Sequence, residues 1–173
     1  MQQARLKDVE ACNQLVALTQ QSLYVFCFYL TRSKPAAEDL THDTYLKGFL
    51  VLDQLKEPSA LLPWLKTIAR HLFLDQKRAA PESQQILSLE DLRPKELSQN
   101  ETGASDLVDQ LAAYQALQQL EESDRSLLVL IEVQGQSYSE VAQILEIPEG
   151  TVKSRLNRAR QKFSLIFHGT KKP

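Results

Sequence analysis

Residues 134–163 read QGQSYSEVAQILEIPEGTVKSRLNRARQKF, two helices joined by a very short turn. Ser137-Tyr138-Ser139-Glu140 is a capping box: the serine hydroxyl accepts from an early backbone N–H while the glutamate reaches back to the N–H of the cap. It opens a short helix carrying Val141, Ala142 and Leu145. Ile147-Pro148-Glu149-Gly150 then forces a turn, with Pro148 placed to open the next helix, where its missing N–H is no loss. The pattern is a helix-turn-helix.

The second of these helices has two unlike sides. At about 100° per residue, Leu156, Ala159 and Phe163 fall within about 40° of Val152 and form a core face. The opposite side collects Ser154, Asn157, Arg158 and Gln161, flanked by Lys153, Arg155, Arg160 and Lys162. Short polar groups and an arginine at the centre, with cations at the edges, are what major-groove reading requires: central residues meet base edges and flanking ones meet phosphates. An exposed helix of a cytosolic enzyme can carry a similar face. Capping box, tight turn and one-sided basic helix together favour DNA binding.

Outward from this motif, the 173 residues carry 20 Lys+Arg and 22 Asp+Glu, a net charge of −2, so the average gives no hint of a nucleic-acid partner. The distribution does. Residues 1–65 are balanced; Lys66 to Arg78 holds four basic residues against Asp75 alone; Ala79 to Gly150 holds three basic against 14 acidic; and from Thr151 onward there are seven basic and none acidic. Two basic patches are separated by an acidic span. The longest apolar run, Leu23–Leu30, has eight residues, far short of the roughly 20 that span a bilayer. The first ten residues lack an apolar signal core, which implies a cytoplasmic protein. Cys12 and Cys27 cannot make a disulfide framework, and no metal-ligand spacing of Cys or His exists, so both are expected in the core and no structural metal is expected.

Helix formers dominate and no sustained apolar/polar alternation is present, so the chain reads as all-α. Arg5 to about Arg32 gives one or two helices, with Cys12, Leu15, Val16 and Leu18, then Tyr24, Phe26, Phe28 and Tyr29, on the buried side. A second helix starts after Ser33, Pro35 suiting its first turn, and runs to about Leu52. Pro58 and Pro63 mark the break before a third helix, Leu65 to Arg78. Residues 81–105 are rich in Ser, Gln and Pro without a period, a flexible acidic linker that argues for two small helical domains. The C-terminal unit begins near Asp106, and Leu111, Leu117, Leu120, Leu127, Leu128, Leu130 and Ile131 supply two helices before the helix-turn-helix.

In the N-terminal unit the third helix sets Leu65, Ile68, Ala69 and Leu72 on one side and Thr67, Arg70, His71, Lys77 and Arg78 on the other. Trp64, Phe73 and Arg70 offer stacking and charge for a single strand, although a lone Trp beside a helix start is more often a core anchor. Glu38, Asp39, His42 and Asp43 form an acidic stripe on the second helix. Asp39-x-x-His42 is half of a di-metal bundle pattern whose complement is missing, which leaves a solvated or partner-docking face. The three histidines lack a partnered Ser or Cys motif and there is no phosphate-binding Gly loop, so an enzyme is not expected.

Ala37-Glu38-Asp39-Leu40-Thr41-His42-Asp43-Thr44-Tyr45-Leu46, Trp64-Leu65-Lys66-Thr67-Ile68-Ala69-Arg70-His71, Gly135 to Ala142 and Ile147 to Arg160 together resemble, in order and spacing, the extracytoplasmic-function (group IV) sigma factors of the bacterial sigma-70 family. The resemblance covers nearly the whole chain. It implies a region 2 domain at 5–80, a linker at 81–105 and a region 4 domain at 106–168. It implies a transcription initiation factor, not an enzyme, that needs no cofactor or small-molecule substrate, does not insert in membranes, binds core RNA polymerase through the β′ clamp helices and β flap, and directs it to promoter DNA under an anti-sigma factor. By position, Asp39, His42 and Asp43 are expected to touch polymerase. Trp64, Arg70, His71, Lys77 and Arg78, with the loop Asp53 to Pro63, are expected at the minus 10 element. Lys153, Ser154, Arg155, Asn157, Arg158 and Gln161 are expected at the minus 35 element. Two other readings are distinguishable: a stand-alone helix-turn-helix regulator, which has no use for the basic helix after Trp64, and a metal-dependent hydrolase built on Asp39, His42 and Asp43.

Overall fold

The structure, a computed structural model, describes residues 9–79 and 104–170, and every regular element among them is helical. The expected linker, residues 81–105, falls almost wholly outside the described residues. The N-terminal half is α1 (Val9–Thr31), α2 (Lys34–Leu50) and α3 (Leu61–Ala79). The C-terminal half is α4 (Ala104–Gln119), α5 (Glu122–Leu128), which runs into a π-helical turn over Val129–Val133, then α6 (Tyr138–Leu145) and α7 (Glu149–Thr170). The all-α expectation holds, with Pro35 in the first turn of α2.

Three local expectations are corrected. Helix α3 starts at Leu61, not Leu65, so Pro63 lies inside its first turn; the first four N–H groups of a helix have no intrahelical acceptor, and a proline there removes nothing. Pro58 instead opens a single 3-10 turn, Pro58–Ala60. Leu18 is not core but 82% exposed. The buried stripe of α1 runs through Ala11, Thr19, Leu23, Phe26, Cys27 and Leu30, and Leu18 sits about 100° off Thr19. Thr19 is tolerated in that stripe because its hydroxyl donates to the Leu15 carbonyl (2.7 Å) and pairs with the Tyr45 hydroxyl (2.8 Å). Cys27 is buried as expected, and burial pushes its thiol up to about 12.

The cores of the two halves are continuous. Leu23, Phe26 and Leu40 of the first and Leu127, Leu130, Ile144 and Leu156 of the second belong to one buried cluster. The seam is aromatic: Tyr114 of α4 lies 5.9 Å from Phe28 and 5.7 Å from Tyr29 of α1, centroid to centroid. Within the first half, α2 and α3 approach most closely at Gly48, where a Cβ would fall 2.9 Å from Leu65 Cδ2 and 3.6 Å from the Trp64 ring. Gly48→Val should therefore lower stability by about 1–3 kcal/mol through overpacking, read as a fall in urea midpoint by circular dichroism. Wild-type stability in that variant would show that α2 and α3 can part without cost.

Candidate nucleic-acid interface

The helix-turn-helix is built as its sequence dictates. Ser137 Oγ accepts from the Glu140 N–H (3.3 Å) and the Ser137 N–H donates to Glu140 Oε2 (2.8 Å); the Ser137 hydroxyl also donates to Glu140 Oε2 (2.7 Å), and this bond first, then that from the Ser137 N–H, holds the Glu140 carboxyl below its usual range. Pro148 stands one position ahead of α7 rather than in it, its carbonyl accepting from Thr151 (2.8 Å). Val152, Leu156 and Ala159 are buried, and Lys153, Ser154, Arg155, Asn157, Arg158 and Gln161 are all exposed on the other side. The flanking cations are not all loose. Arg160 holds Glu132 (2.6 and 2.8 Å) and Lys162 holds Asp124 (2.5 Å), which raises the Lys162 ammonium. Lys153 lies 5.7 Å from the Tyr138 ring centroid.

The second basic helix, α3, is divided by the packing. Trp64 is the core anchor that one reading expected: its indole packs against the core, and it also lines a cavity of about 220 Å³ with Leu55, Glu57, Pro63, Thr67 and Gln143 of α6. Phe73 does not share that surface. Nine residues on, it points about 180° away and packs against the core. Arg70, His71 and Arg78 surround a separate polar cavity of about 480 Å³, closed on one side by Glu146. Lys77 and Arg78 are exposed, and Arg78 pairs with Asp75 (3.0 Å).

Sequence reasoning missed Lys66, which is 0% exposed. It sits about 60° from Ala69 round the helix, at the margin of the apolar arc, and the second half covers it. Its ammonium donates to Gln134 Oε1, and Gln134 Nε2 donates to the Ser22 carbonyl (2.8 Å), so one glutamine just past the π turn ties both halves. Burial pulls Lys66 down to about 8, opposed by the Glu140 carboxylate. Across the same seam, Arg125 donates to the carbonyls of Leu120 (3.1 Å) and Leu30 (3.5 Å), the latter in the last turn of α1, and burial lowers it to about 10.

Asp39, His42 and Asp43 lie exposed on α2, continued along the helix by Leu46 (53%) and Leu50 (80%). Among the described residues no group of three or more His, Cys, Asp or Glu is placed to hold a metal ion, and no helix is long and apolar enough to cross a membrane.

A helix-turn-helix with a polar, basic outer face, beside a second basic helix in the same body, defines an all-α protein made to meet nucleic acid. Residues 110–163 match the family model described as Sigma-70, region 4, and residues 15–81 match Sigma-70 region 2. The chain is 31% identical over 157 residues to the RNA polymerase sigma factor YlaC of Bacillus subtilis, covering 90% of this chain and 91% of that protein. It is 31% identical over 157 residues to the ECF RNA polymerase sigma factor SigE of Mycolicibacterium smegmatis, covering 86% of this chain and 58% of SigE, so it spans little more than half of that relative's length. Its fold matches the sigma factor RpoE of Bartonella quintana, solved in complex with the anti-sigma factor NepR, with a TM-score of 0.73, 31% identity, and coverage of 92% of this chain and 98% of RpoE. The chain belongs to the extracytoplasmic-function sigma factors of the sigma-70 family.

The buried Lys66 makes stability pH-dependent in a defined direction. Its folded value, about 8, lies below the ordinary 10.5, so between those values the unfolded chain binds more protons and stability rises with pH. Cys27, Tyr29 and Tyr45, all raised by burial, act in the opposite sense above about pH 9. From pH 7 to 9 the wild type should gain on the order of 1 kcal/mol relative to Lys66→Met, measured by urea unfolding. Parallel pH profiles for the two proteins would place Lys66 in water.

Proposed function

We propose that this chain is a promoter-specificity subunit: it binds core RNA polymerase, brings it to promoters and helps open the DNA, working in the cytoplasm without catalytic activity of its own. The observation that carries this reading is the coexistence, in one sigma-family chain, of an exposed helix-turn-helix face and a second basic helix beside a Trp-lined cavity. Residues 106–168 would act as the region 4 domain, with Lys153, Ser154, Arg155, Asn157, Arg158 and Gln161 reading the minus 35 element. Residues 5–80 would act as region 2. In that half, Trp64, Arg70, His71, Lys77 and Arg78 would meet the minus 10 strand.

The chemistry suits these roles. Strand opening needs no hydrolysis; a base taken from the stack costs a few kcal/mol, offset by stacking and phosphate contacts. The cavity beside Trp64 has room for a flat ring, with Gln54, Thr67 and Gln143 among the residues that line it. The exposed stripe of Asp39, His42, Asp43, Leu46 and Leu50 combines charge with apolar surface, which suits a protein partner; we assign it to the polymerase β′ clamp helices, with region 4 on the β flap. An anti-sigma factor, the kind of partner held by the Bartonella RpoE, would control it.

The first test is co-elution of the full chain with core polymerase from its own bacterium at low salt, which preserves weak ionic contacts. Absence of co-elution by a folded chain would favour the stand-alone regulator. Within the holoenzyme, Arg158→Ala should weaken minus 35 recognition by about 1–3 kcal/mol in footprinting while polymerase binding is unchanged; undiminished promoter-specific transcription would remove Arg158 from the reading face. Charge reversal of Asp39 and Asp43 to Lys should instead lower affinity for core polymerase, measured by competition with the unmodified chain. Equal competition would move the docking surface off α2.

A further inference from the structure

Glu146 ends α6 in the left-handed region, φ 55° and ψ 44°. A side chain is disfavoured there and glycine or asparagine is the usual occupant, since a Cβ crowds the backbone at positive φ. Arg32 is the other non-glycine residue with positive φ among those described. The helix would be capped at lower cost by glycine, so the carboxylate is the feature to explain. It reaches across the seam to α3: His71 Nε2 donates to Glu146 Oε2 at 2.8 Å, and Arg70 Nη1 lies 4.0 Å from the same oxygen. Arg70 is held on its other side by Glu122 of α5, 4.0 Å from Nε, yet its Nε has no hydrogen-bond partner among the described residues.

We infer that Glu146 is an internal stand-in for a nucleic-acid phosphate, occupying the strand-binding donors of Arg70 and His71 while the two halves are closed on each other. The inference rests on the proposed strand-binding role of α3 and deepens it. The polar cavity of about 480 Å³ lined by Arg70, His71, Leu74, Asp75, Arg78 and Glu146 is where the strand backbone passes once the carboxylate leaves. Closure also brings Gln143, three residues before Glu146, against the Trp64 cavity, so one movement of α6 uncovers both the phosphate-binding donors and the ring pocket. A carboxylate half exposed at 55% is a suitable competitor: exposed ion pairs are worth little, so a polyanion displaces it.

The test uses the full chain and a fluorescein-labelled thymidylate single strand of about twelve nucleotides, within the span that such grooves cover, titrated by anisotropy at several salt concentrations. Glu146→Gln removes the charge and keeps the shape. Glu146→Gly removes the side chain and suits the backbone, so it keeps the fold, as circular dichroism will report. Both should tighten strand binding by about threefold to tenfold, with the slope of log affinity against log salt steeper by about 0.7 for each cation released. Adding Arg70→Ala and His71→Ala should cancel that gain. A gain that survives those two changes overturns the inference, because the carboxylate would then be acting on another surface. No gain in either Glu146 variant overturns it as well, and promoter opening by the holoenzyme separates the two causes. If Arg70→Ala with His71→Ala still slows opening, only the stand-in role of Glu146 falls. If opening is unaffected, the strand-binding role of α3 falls with it.

Discussion

The ammonium of Lys66, sealed between the two halves of the molecule, is the constraint around which their junction is organised. A charged amine without water is costly unless paired and hydrogen-bonded, and this one has a single strong partner, Gln134 Oε1, with the Glu140 carboxylate acting at a distance. That requirement explains the local chain path. The π turn over Val129–Val133 delivers Gln134 to the seam, where it spends its acceptor on Lys66 and its donor on the Ser22 carbonyl. The capping box places Glu140 on the first turn of α6, the helix that lies over α3.

The junction is accordingly of mixed character. It has an aromatic centre, which favours closure through buried area and ring contacts. It also has three cations, Lys66, Arg70 and Arg125, and two of them are incompletely matched: Arg70 Nε and Arg125 Nε lack hydrogen-bond partners among the described residues. Each unmatched buried donor subtracts about 1–3 kcal/mol. The balance is a closed arrangement of modest depth, the physical condition for two domains to separate when each finds a better partner. A purely apolar seam of the same area would hold the halves together regardless of what either one met.

The elements that could be read from sequence are those whose determinants are local. Ser137 and Glu140 cap α6 with groups three residues apart, Pro35 and Pro148 mark helix entries, and the 3.6-residue period of α7 separates Val152, Leu156 and Ala159 from the polar face because one small domain covers one arc of one helix. The same period misleads where burial comes from elsewhere. Leu18 is apolar but lies off the arc that α2 and α3 cover, and Lys66 is charged but lies under α6, more than 60 residues away in sequence. Trp64 and Phe73 look like one stacking surface as composition and two as geometry. Glu146 carried a readable signal, an acidic residue at the position between a helix end and Ile147-Pro148 where a left-handed backbone calls for glycine; its contact with α3 required the fold.

Charge placement follows the same division. The chain is acidic overall, and much of the charge on its basic helices is answered internally: Arg160 by Glu132, Lys162 by Asp124, Arg70 by Glu122 and Glu146. Among the described residues of these two helices, the exposed cations left without an acidic partner are Lys153, Arg155 and Arg158 on α7 and Lys77 near the end of α3. Affinity for DNA scales with the number of phosphates neutralised, so two helices that each present so few unengaged cations would bind weakly by themselves. In the proposed role that weakness is an advantage. Each half borrows effective concentration from the polymerase that tethers it, so DNA is engaged within the holoenzyme and left alone outside it. The internal carboxylates lower the affinity of the free chain a little further, by no more than exposed ion pairs are worth.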